Sequence, residues 1–233
     1  NYLWQATEAM AELAIASLVS QGIAREDVHY LSAGFGAVAD PDGEASREAI
    51  QAALLEWTQA NDPADDVLLY LVDHGGPGVF ELDQKEVLKA ETLKTWLDAL
   101  QGTIPGSVTV VYDACESGSF NPILATDAHL RLVISSAKPG QSALFAAKGK
   151  VSFSQIFWST FSVSGDLYRS YVAGQQSMKL FGRGSQVAQI SADGDASTNT
   201  KSDRSLARQF SLVAASSVLP TYRKLRRSRT RAP

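Results

Sequence analysis

Hydrophobic residues follow two distinct patterns along this chain. Apolar side chains recur every three to four residues, the spacing of one face of an α-helix, in five segments: 3–21, 44–60, 92–101, 153–161 and 166–181. Short, continuously apolar runs predict buried strands at 28–31, 67–72, 79–82, 108–113 and 130–135. Because helices separate most of these strands, the order of elements predicts an α/β fold with a mostly parallel sheet that is covered on both faces.

Two of the predicted strands end next to residues that carry reactive groups. The run at 67–72 leads into His74, and the run at 108–113 leads into Cys115, the only cysteine of the chain. In a parallel sheet the ligand crevice lies beyond the carboxyl ends of the strands, so these two residues are expected to meet there. A lone cysteine is more often a small buried hydrophobe, and a lone histidine is more often structural. Their matching positions favour a reactive pair.

The pair has the chemistry of a nucleophile and its base. A free thiol has a pKa of about 8.5 and is mostly protonated near neutrality, whereas a neighbouring imidazole can accept its proton and later protonate a leaving amine. Gly75 carries no side chain, so a substrate backbone can approach the histidine closely. The amides of the glycines after His74 and of Cys115 are placed to face a developing oxyanion. The other histidines, His29 and His129, are predicted to be structural or exposed to solvent.

Other hydrolytic sites fit the sequence less well. A serine α/β-hydrolase needs a Gly-x-Ser-x-Gly pentapeptide and a histidine late in the chain, and neither is present. The spacings typical of zinc ligands, His-x-x-x-His and Cys-x-x-Cys, are also absent. The alternating polar residues at 193–204 lack the glycine and the glutamate of a calcium loop. We therefore expect no metal and no organic cofactor.

Composition and charge narrow the function classes. The 233 residues are 45% hydrophobic and 20% charged, as in an ordinary globular protein, and no run of about 18 apolar residues predicts a membrane span. Residues 221–233 hold six of the 21 basic residues and no acid, so the rest of the chain is acidic and is not expected to bind nucleic acid. A single cysteine rules out a disulfide within the chain and leaves the compartment open.

Two motifs resemble those of a known family: Asp-His-Gly-Gly-Pro-Gly at 73–78 and Asp-Ala-Cys-Glu-Ser-Gly-Ser at 113–119. Both are similar to the active-site motifs of legumain-type cysteine peptidases, the asparaginyl endopeptidases of the caspase-like clan. The resemblance covers about residues 1–162. It implies a caspase-like three-layer αβα sandwich with a mostly parallel central sheet. The family's first strand, which holds an asparagine that orients the histidine, is expected to be missing here, and its loss would expose a sheet edge.

The resemblance also implies a role for individual residues. His74 would be the general acid/base and Cys115 the nucleophile, with the amides of Gly75 and Cys115 forming the oxyanion hole. Asp113 would lie in the primary specificity pocket, where legumains carry a glutamate. Ser142 roughly matches a second pocket position. Gln155 lies near the place of a pocket aspartate, and this loss of charge means that a preference for asparagine does not carry over.

The sequence thus predicts a cysteine endopeptidase that acts on peptide or protein substrates through a thioester on Cys115. Two alternatives stay open: a catalytically silent caspase-like interaction module, and a transamidase that uses the same pair of residues. The predicted organisation is a peptidase domain at 1–182, a polar loop and extension at 183–220, and a basic tail without regular structure at 221–233. Because the first residue is not methionine, the chain is expected to be a piece of a larger protein, one option being a secreted or cell-surface protein. The oligomeric state is left open.

Overall fold

The structure is a computed structural model that describes residues 2–34, 40–60, 64–83 and 85–212. The strands in this part of the chain are β1 (Leu31–Ser32), β2 (Gly43–Glu44), β3 (Val67–Val72), β4 (Gly75–Gly76), β5 (Val79–Glu81), β6 (Val87–Lys89), β7 (Val108–Asp113), β8 (Arg131–Ser135) and β9 (Gln189–Ser191). The helices are α1 (Tyr2–Ser20), α2 (Arg47–Leu55), α3 (Ala90–Gln101), α4 (Asn121–Leu124), α5 (Phe153–Ser164), α6 (Leu167–Phe181) and α7 (Lys201–Ala207).

The central sheet has the strand order β3-β7-β8-β9. Strands β3, β7 and β8 are parallel, and β9 runs antiparallel to β8, which confirms the predicted mostly parallel sheet. Every residue of β7 and β8 is buried, whereas Leu71 is the only buried residue of β3. Within the described residues β3 pairs with β7 alone, so β3 forms an open edge of the sheet.

Helices cover both faces of this sheet, as the alternation of elements predicted. On one face, α2, α3 and α4 pack on side chains such as Val110 of β7. On the other face, α1, α5, α6 and α7 pack on side chains such as Val111. Successive residues of a strand point to opposite faces, and an uninterrupted apolar strand therefore contributes to both cores. None of the helices in the described part of the chain combines the length and the apolar surface needed to cross a bilayer.

Side-chain caps set several helix boundaries. The Ser46 hydroxyl accepts a hydrogen bond from the Ala49 N–H, so the helical pattern predicted at 44–60 begins as helix α2 at Arg47. It ends at Leu55, and a short 3₁₀-helix follows at Trp57–Gln59. Of the strand predicted at 28–31 only Leu31 lies in a strand, because within the described residues β1 pairs solely with the two-residue strand β2.

The segment predicted as a polar loop and extension at 183–220 contains regular structure in its described part, namely β9 and α7. The polar residues serve as caps: Thr200 and Asp203 form a capping box at the start of α7. Asp203 is buried and also accepts a hydrogen bond from the Ala192 N–H. No group of three or more His, Cys, Asp and Glu side chains could hold a metal ion in the described residues. The basic tail at 221–233 lies outside the described residues.

A buried arginine joins the sheet to α3 and α4. Arg131 opens β8 and is 3% exposed. Its guanidinium donates to Asp98 Oδ1 at 2.7 Å, to Gln101 Oε1 at 2.8 Å and to the Leu124 carbonyl at 2.9 Å. Burial pushes the pKa of Asp98 upward, but the hydrogen bonds from Lys94 and Arg131 outweigh it and hold that pKa below its ordinary value. A buried charge of this kind is stable only while its partners remain in place.

We expect Asp98→Asn to lower the free energy of unfolding by about 1–2 kcal/mol at pH 7, because it leaves the Arg131 guanidinium without its counter-charge. A carboxyl whose pKa is lower in the folded state contributes stability above its unfolded pKa and loses it as the pH falls through the folded pKa. The difference between wild type and variant should therefore shrink below pH 3.8, the ordinary value for this carboxyl. Urea unfolding of both proteins at several pH values measures this difference in the free energy of unfolding.

The exposed Asp127 supplies the matched control, since Asp127→Asn removes a carboxylate that forms no ion pair within the described residues. Its free energy of unfolding should match that of wild type. A difference between wild type and Asp98→Asn that persists unchanged down to pH 2 would contradict the role given to the Arg131–Asp98 ion pair.

Candidate active site

The register of β3 and β7 brings the two reactive residues to the same level of the sheet. These strands are adjacent and parallel, and Val72 pairs with Asp113 at their carboxyl ends. His74 and Cys115 each follow two residues after this last pair. Neighbouring strands lie about 4.8 Å apart, so the two segments leave the sheet side by side. The structure thus places side by side the two segments that carry the histidine and the cysteine singled out by the sequence pattern.

Gly75 lets the histidine segment pack directly on the cysteine segment. A Cβ atom built at Gly75 would lie 2.7 Å from the Cys115 carbonyl oxygen and 2.9 Å from the Ala114 Cβ, and it would also overlap the Tyr112 hydroxyl. Any side chain at this position would push the two segments apart. The tyrosine hydroxyl donates to the Val79 carbonyl at 3.1 Å, which ties β7 to the hairpin that follows the histidine. Glycine is therefore required here by close backbone approach.

A second link joins the two segments beyond the cysteine. The Ser119 hydroxyl accepts a hydrogen bond from the Gly78 N–H at 2.9 Å and donates to the Glu116 carbonyl at 2.7 Å. Glu116 has a φ of +58°, an uncommon conformation for a residue with a side chain, and the 3₁₀-helix Ser117–Phe120 follows it. This turn directs the chain sharply away from the sheet directly after Cys115.

Cys115 and His74 differ in their surroundings. Cys115 is half-buried, and its Sγ accepts a hydrogen bond from the Ala143 N–H at 3.4 Å. The N–H of Cys115 itself donates no hydrogen bond within the described residues. His74 is exposed, and its main-chain N–H donates to Asp73 Oδ1 at 2.8 Å. Burial raises the pKa of Asp73, and this hydrogen bond partly offsets the rise. In the described part of the chain no group bonds the imidazole.

Asp113 lies at the last position of β7 and is fully buried. Its Oδ2 accepts hydrogen bonds from the Ser154 N–H at 2.9 Å and from the Ser154 hydroxyl at 2.6 Å, while the Tyr70 hydroxyl donates to that serine oxygen at 2.6 Å. The other oxygen, Oδ1, is buried and accepts no hydrogen bond of good geometry from the described residues, although the Ser136 hydroxyl acts on the carboxylate. Burial raises the pKa of Asp113, against the lowering effect of the hydroxyls of Ser136 and Ser154.

The two remaining predicted site residues form no hydrogen bond with the Asp113 carboxylate. Gln155 is half-buried in the first turn of α5, and its Nε2 donates to the Ser159 hydroxyl one turn later. Ser142 is exposed and directly precedes Ala143. Sequence reasoning missed Ser154, which does contact Asp113. The helix-capping pattern at residues 152–155 was a signal for the start of α5, but it could not show which strand that helix end faces.

The chain is similar to known proteins in sequence and in fold. The model of the peptidase C13 family matches residues 51–217. No curated protein sequence matches the chain. Among solved structures, caspase-1 from Spodoptera frugiperda is similar with a TM-score of 0.54 and 15% sequence identity, over 78% of this chain and 76% of that chain. At this identity the likeness shows a shared caspase-like fold. Since the family model covers most of its length, the chain belongs to the peptidase C13 family, the legumain family.

Proposed function

We propose that the chain is a cysteine endopeptidase in which Cys115 is the nucleophile and His74 is the general acid/base. Membership of the peptidase C13 family supports a cysteine peptidase-type function. The observation that carries the residue assignment is the common register of β3 and β7, whose ends lie side by side directly before the two residues. Nucleophile and base need such adjacency, and in the absence of substrate their contact is often loose.

The reaction uses these side chains and water. His74 removes the thiol proton as Cys115 Sγ attacks the carbonyl carbon of the scissile peptide bond. The resulting oxyanion accepts hydrogen bonds from the N–H groups of Gly75 and Cys115, and the latter donates to no other described group. The C–N bond then breaks, the imidazolium protonates the leaving amine, and a thioester remains. Water, deprotonated by His74, hydrolyses the thioester and frees the thiol.

Asp113 is the proposed selector of the substrate side chain that precedes the scissile bond. A buried carboxylate oxygen without a hydrogen bond of good geometry is costly. A substrate donor that reaches Oδ1, once the side chains that bury it move aside, would remove this cost. Amide, ammonium and guanidinium groups are such donors, so we propose a polar or basic side chain at this substrate position. Ser142 and Gln155 are proposed to lie beside the bound substrate side chain, because they neighbour Ala143 and Ser154 in the chain.

We expect Cys115→Ala and His74→Ala each to lower kcat/KM for peptide cleavage by at least about a thousandfold. His74→Ala removes no hydrogen bond of the scaffold, and Cys115→Ala removes only the long, partly buried bond from the Ala143 N–H, so the melting temperature should stay within a few degrees of wild type. Cleavage of a peptide library, followed by mass spectrometry, measures the activity. His129→Ala is the matched control and should retain the wild-type rate. Undiminished cleavage by Cys115→Ala would refute the assignment.

Two experiments separate the open alternatives. If the chain is an enzyme, we expect iodoacetamide to alkylate Cys115 at pH 7 much faster than it alkylates free cysteine, whereas a silent module should react no faster than free cysteine.

A peptide amine added at millimolar concentration tests transamidation, because it competes with water for the thioester. We expect the hydrolysed product to dominate, and a ligated product as the main species would instead favour the transamidase.

We expect Asp113→Asn to lower kcat/KM about tenfold or more for substrates with a basic residue before the scissile bond, relative to substrates with a neutral amide there. The selectivity of wild type should be present above the folded pKa of Asp113 and be lost as the pH falls through it, since the protonated acid carries no charge. Because that pKa is raised by burial, the loss should begin above the ordinary value of 3.8.

Ser154→Ala makes this prediction sharper. The serine hydroxyl lowers the pKa of Asp113, so its removal should move the loss of selectivity to higher pH, while the Ser154 main-chain N–H remains in place. Selectivity in Asp113→Asn should be independent of pH over the same range. Identical pH profiles for wild type and Asp113→Asn would show that Asp113 does not select the substrate.

A further inference from the structure

Two loops at the carboxyl end of the sheet are joined by glutamine side chains. One loop, residues 136–144, follows β8, and the other, residues 182–188, connects α6 to β9. Gln186 lies in the second loop and bonds the first loop twice: its Nε2 donates to the Ser136 carbonyl and its Oε1 accepts from the Leu144 N–H, both at 2.9 Å. A third bond links the same two loops: Gln141 Oε1, in the first loop, accepts a hydrogen bond from the Val187 N–H of the second loop at 2.8 Å.

The first loop is also fixed to the cysteine turn. The Glu116 N–H donates to the Gln141 carbonyl at 2.8 Å, and the Gly140 N–H donates to the Glu116 carboxylate at 3.1 Å. Residues 142 and 143 therefore lie between two anchors, one at Gln141 and the other at Leu144. Between these anchors, the Ala143 N–H donates to Cys115 Sγ.

Gln186 is built into the interior, not onto the surface. It is 2% exposed, and both polar atoms of its amide are used by main-chain groups of the loop at 136–144. A buried amide that loses these partners is destabilised, so the side chain has little freedom to move. Gln186 thereby sets the position of the Leu144 N–H and of the peptide group that joins Ala143 to Leu144. Gln186 itself forms no hydrogen bond with the Cys115 sulfur.

We propose that Gln186 is a positioning residue that holds the Ala143 N–H on the sulfur of Cys115, where this N–H stabilises the thiolate before substrate binds. The inference rests on the proposed role of Cys115 as nucleophile. Hydrogen bonds to an ionised acceptor are stronger than those to a neutral one, so the N–H favours the thiolate over the thiol. Removal of the thiol proton by the His74 imidazole is then more favourable, because the thiolate that forms is already stabilised.

Alkylation of the intact chain by iodoacetamide tests the proposal without any need for a substrate. The thiolate displaces iodide and forms a thioether, and Cys115 is the only thiol that can react. We expect Gln186→Met, which removes both amide bonds at similar volume, to slow alkylation about tenfold at pH 7. At pH 9.5 a thiol is ionised in any environment close to that of free cysteine, so the rates of wild type and variant should agree within about twofold.

Gln175→Met is the matched control. Gln175 also bonds the chain that leads into β9, through the Ala188 carbonyl, but it makes no hydrogen bond to the loop at 136–144. Its rates should equal those of wild type at both pH values. If Gln186→Met does not fold, Gln141→Met breaks the other half of the link and should show the same dependence on pH.

Two results would overturn the proposal. The first is alkylation of the folded Gln186→Met variant at the wild-type rate at pH 7. The second is an equal loss at pH 7 and pH 9.5, which a general disturbance of the site would produce. Failure of the proposed function gives a different pattern, because wild-type Cys115 would then react no faster than free cysteine at pH 7.

Discussion

The close approach of the Gly75 backbone to the Ala114–Cys115 segment is the contact on which the site depends. It is possible because β3 and β7 are parallel neighbours in a register that ends with Val72 opposite Asp113. The absence of a side chain at residue 75 then allows the two chains to remain in contact after they leave the sheet. Without that contact, only the hydrogen bonds of Ser119 and Tyr112 would join the two segments. With it, the backbones that carry the histidine and the cysteine pack directly on each other.

The two halves of the proposed pair are held to different degrees. Cys115 follows β7, a fully buried strand with a neighbour on each side, and hydrogen bonds to the turn at Glu116 fix it further. His74 follows β3, an edge strand whose residues are mostly half-buried, and the imidazole is exposed. Burial and hydrogen bonding thus concentrate around Cys115, the proposed nucleophile. His74, the proposed base, follows the strand at the open edge of the described sheet and is exposed.

Much of the fold follows from local sequence signals. The strands β3 and β7 begin and end at the predicted residues, because a short continuous apolar run flanked by polar residues and glycines is typical of a buried strand. The same reasoning failed for β9, which consists of Gln189, Ile190 and Ser191 and is a strand only because β8 offers it a partner. Polar composition predicted a loop and extension at 183–220, yet in the described part of this segment polar side chains such as Thr200 and Asp203 cap and link elements of the fold.

The candidate groups are recognisable in the sequence: a thiol and an imidazole at matching strand ends, glycines that allow close approach, and motifs that resemble one family. How each group is held depends on the tertiary structure. The partners of Asp113 come from Ser154, 41 residues away, and the loop beside Cys115 is anchored by Gln186, 42 residues beyond Leu144. Reactive residues are recognisable from local sequence because chemistry restricts their type. Their hydrogen-bond partners are not, because many polar residues can donate or accept and chain topology alone chooses among them.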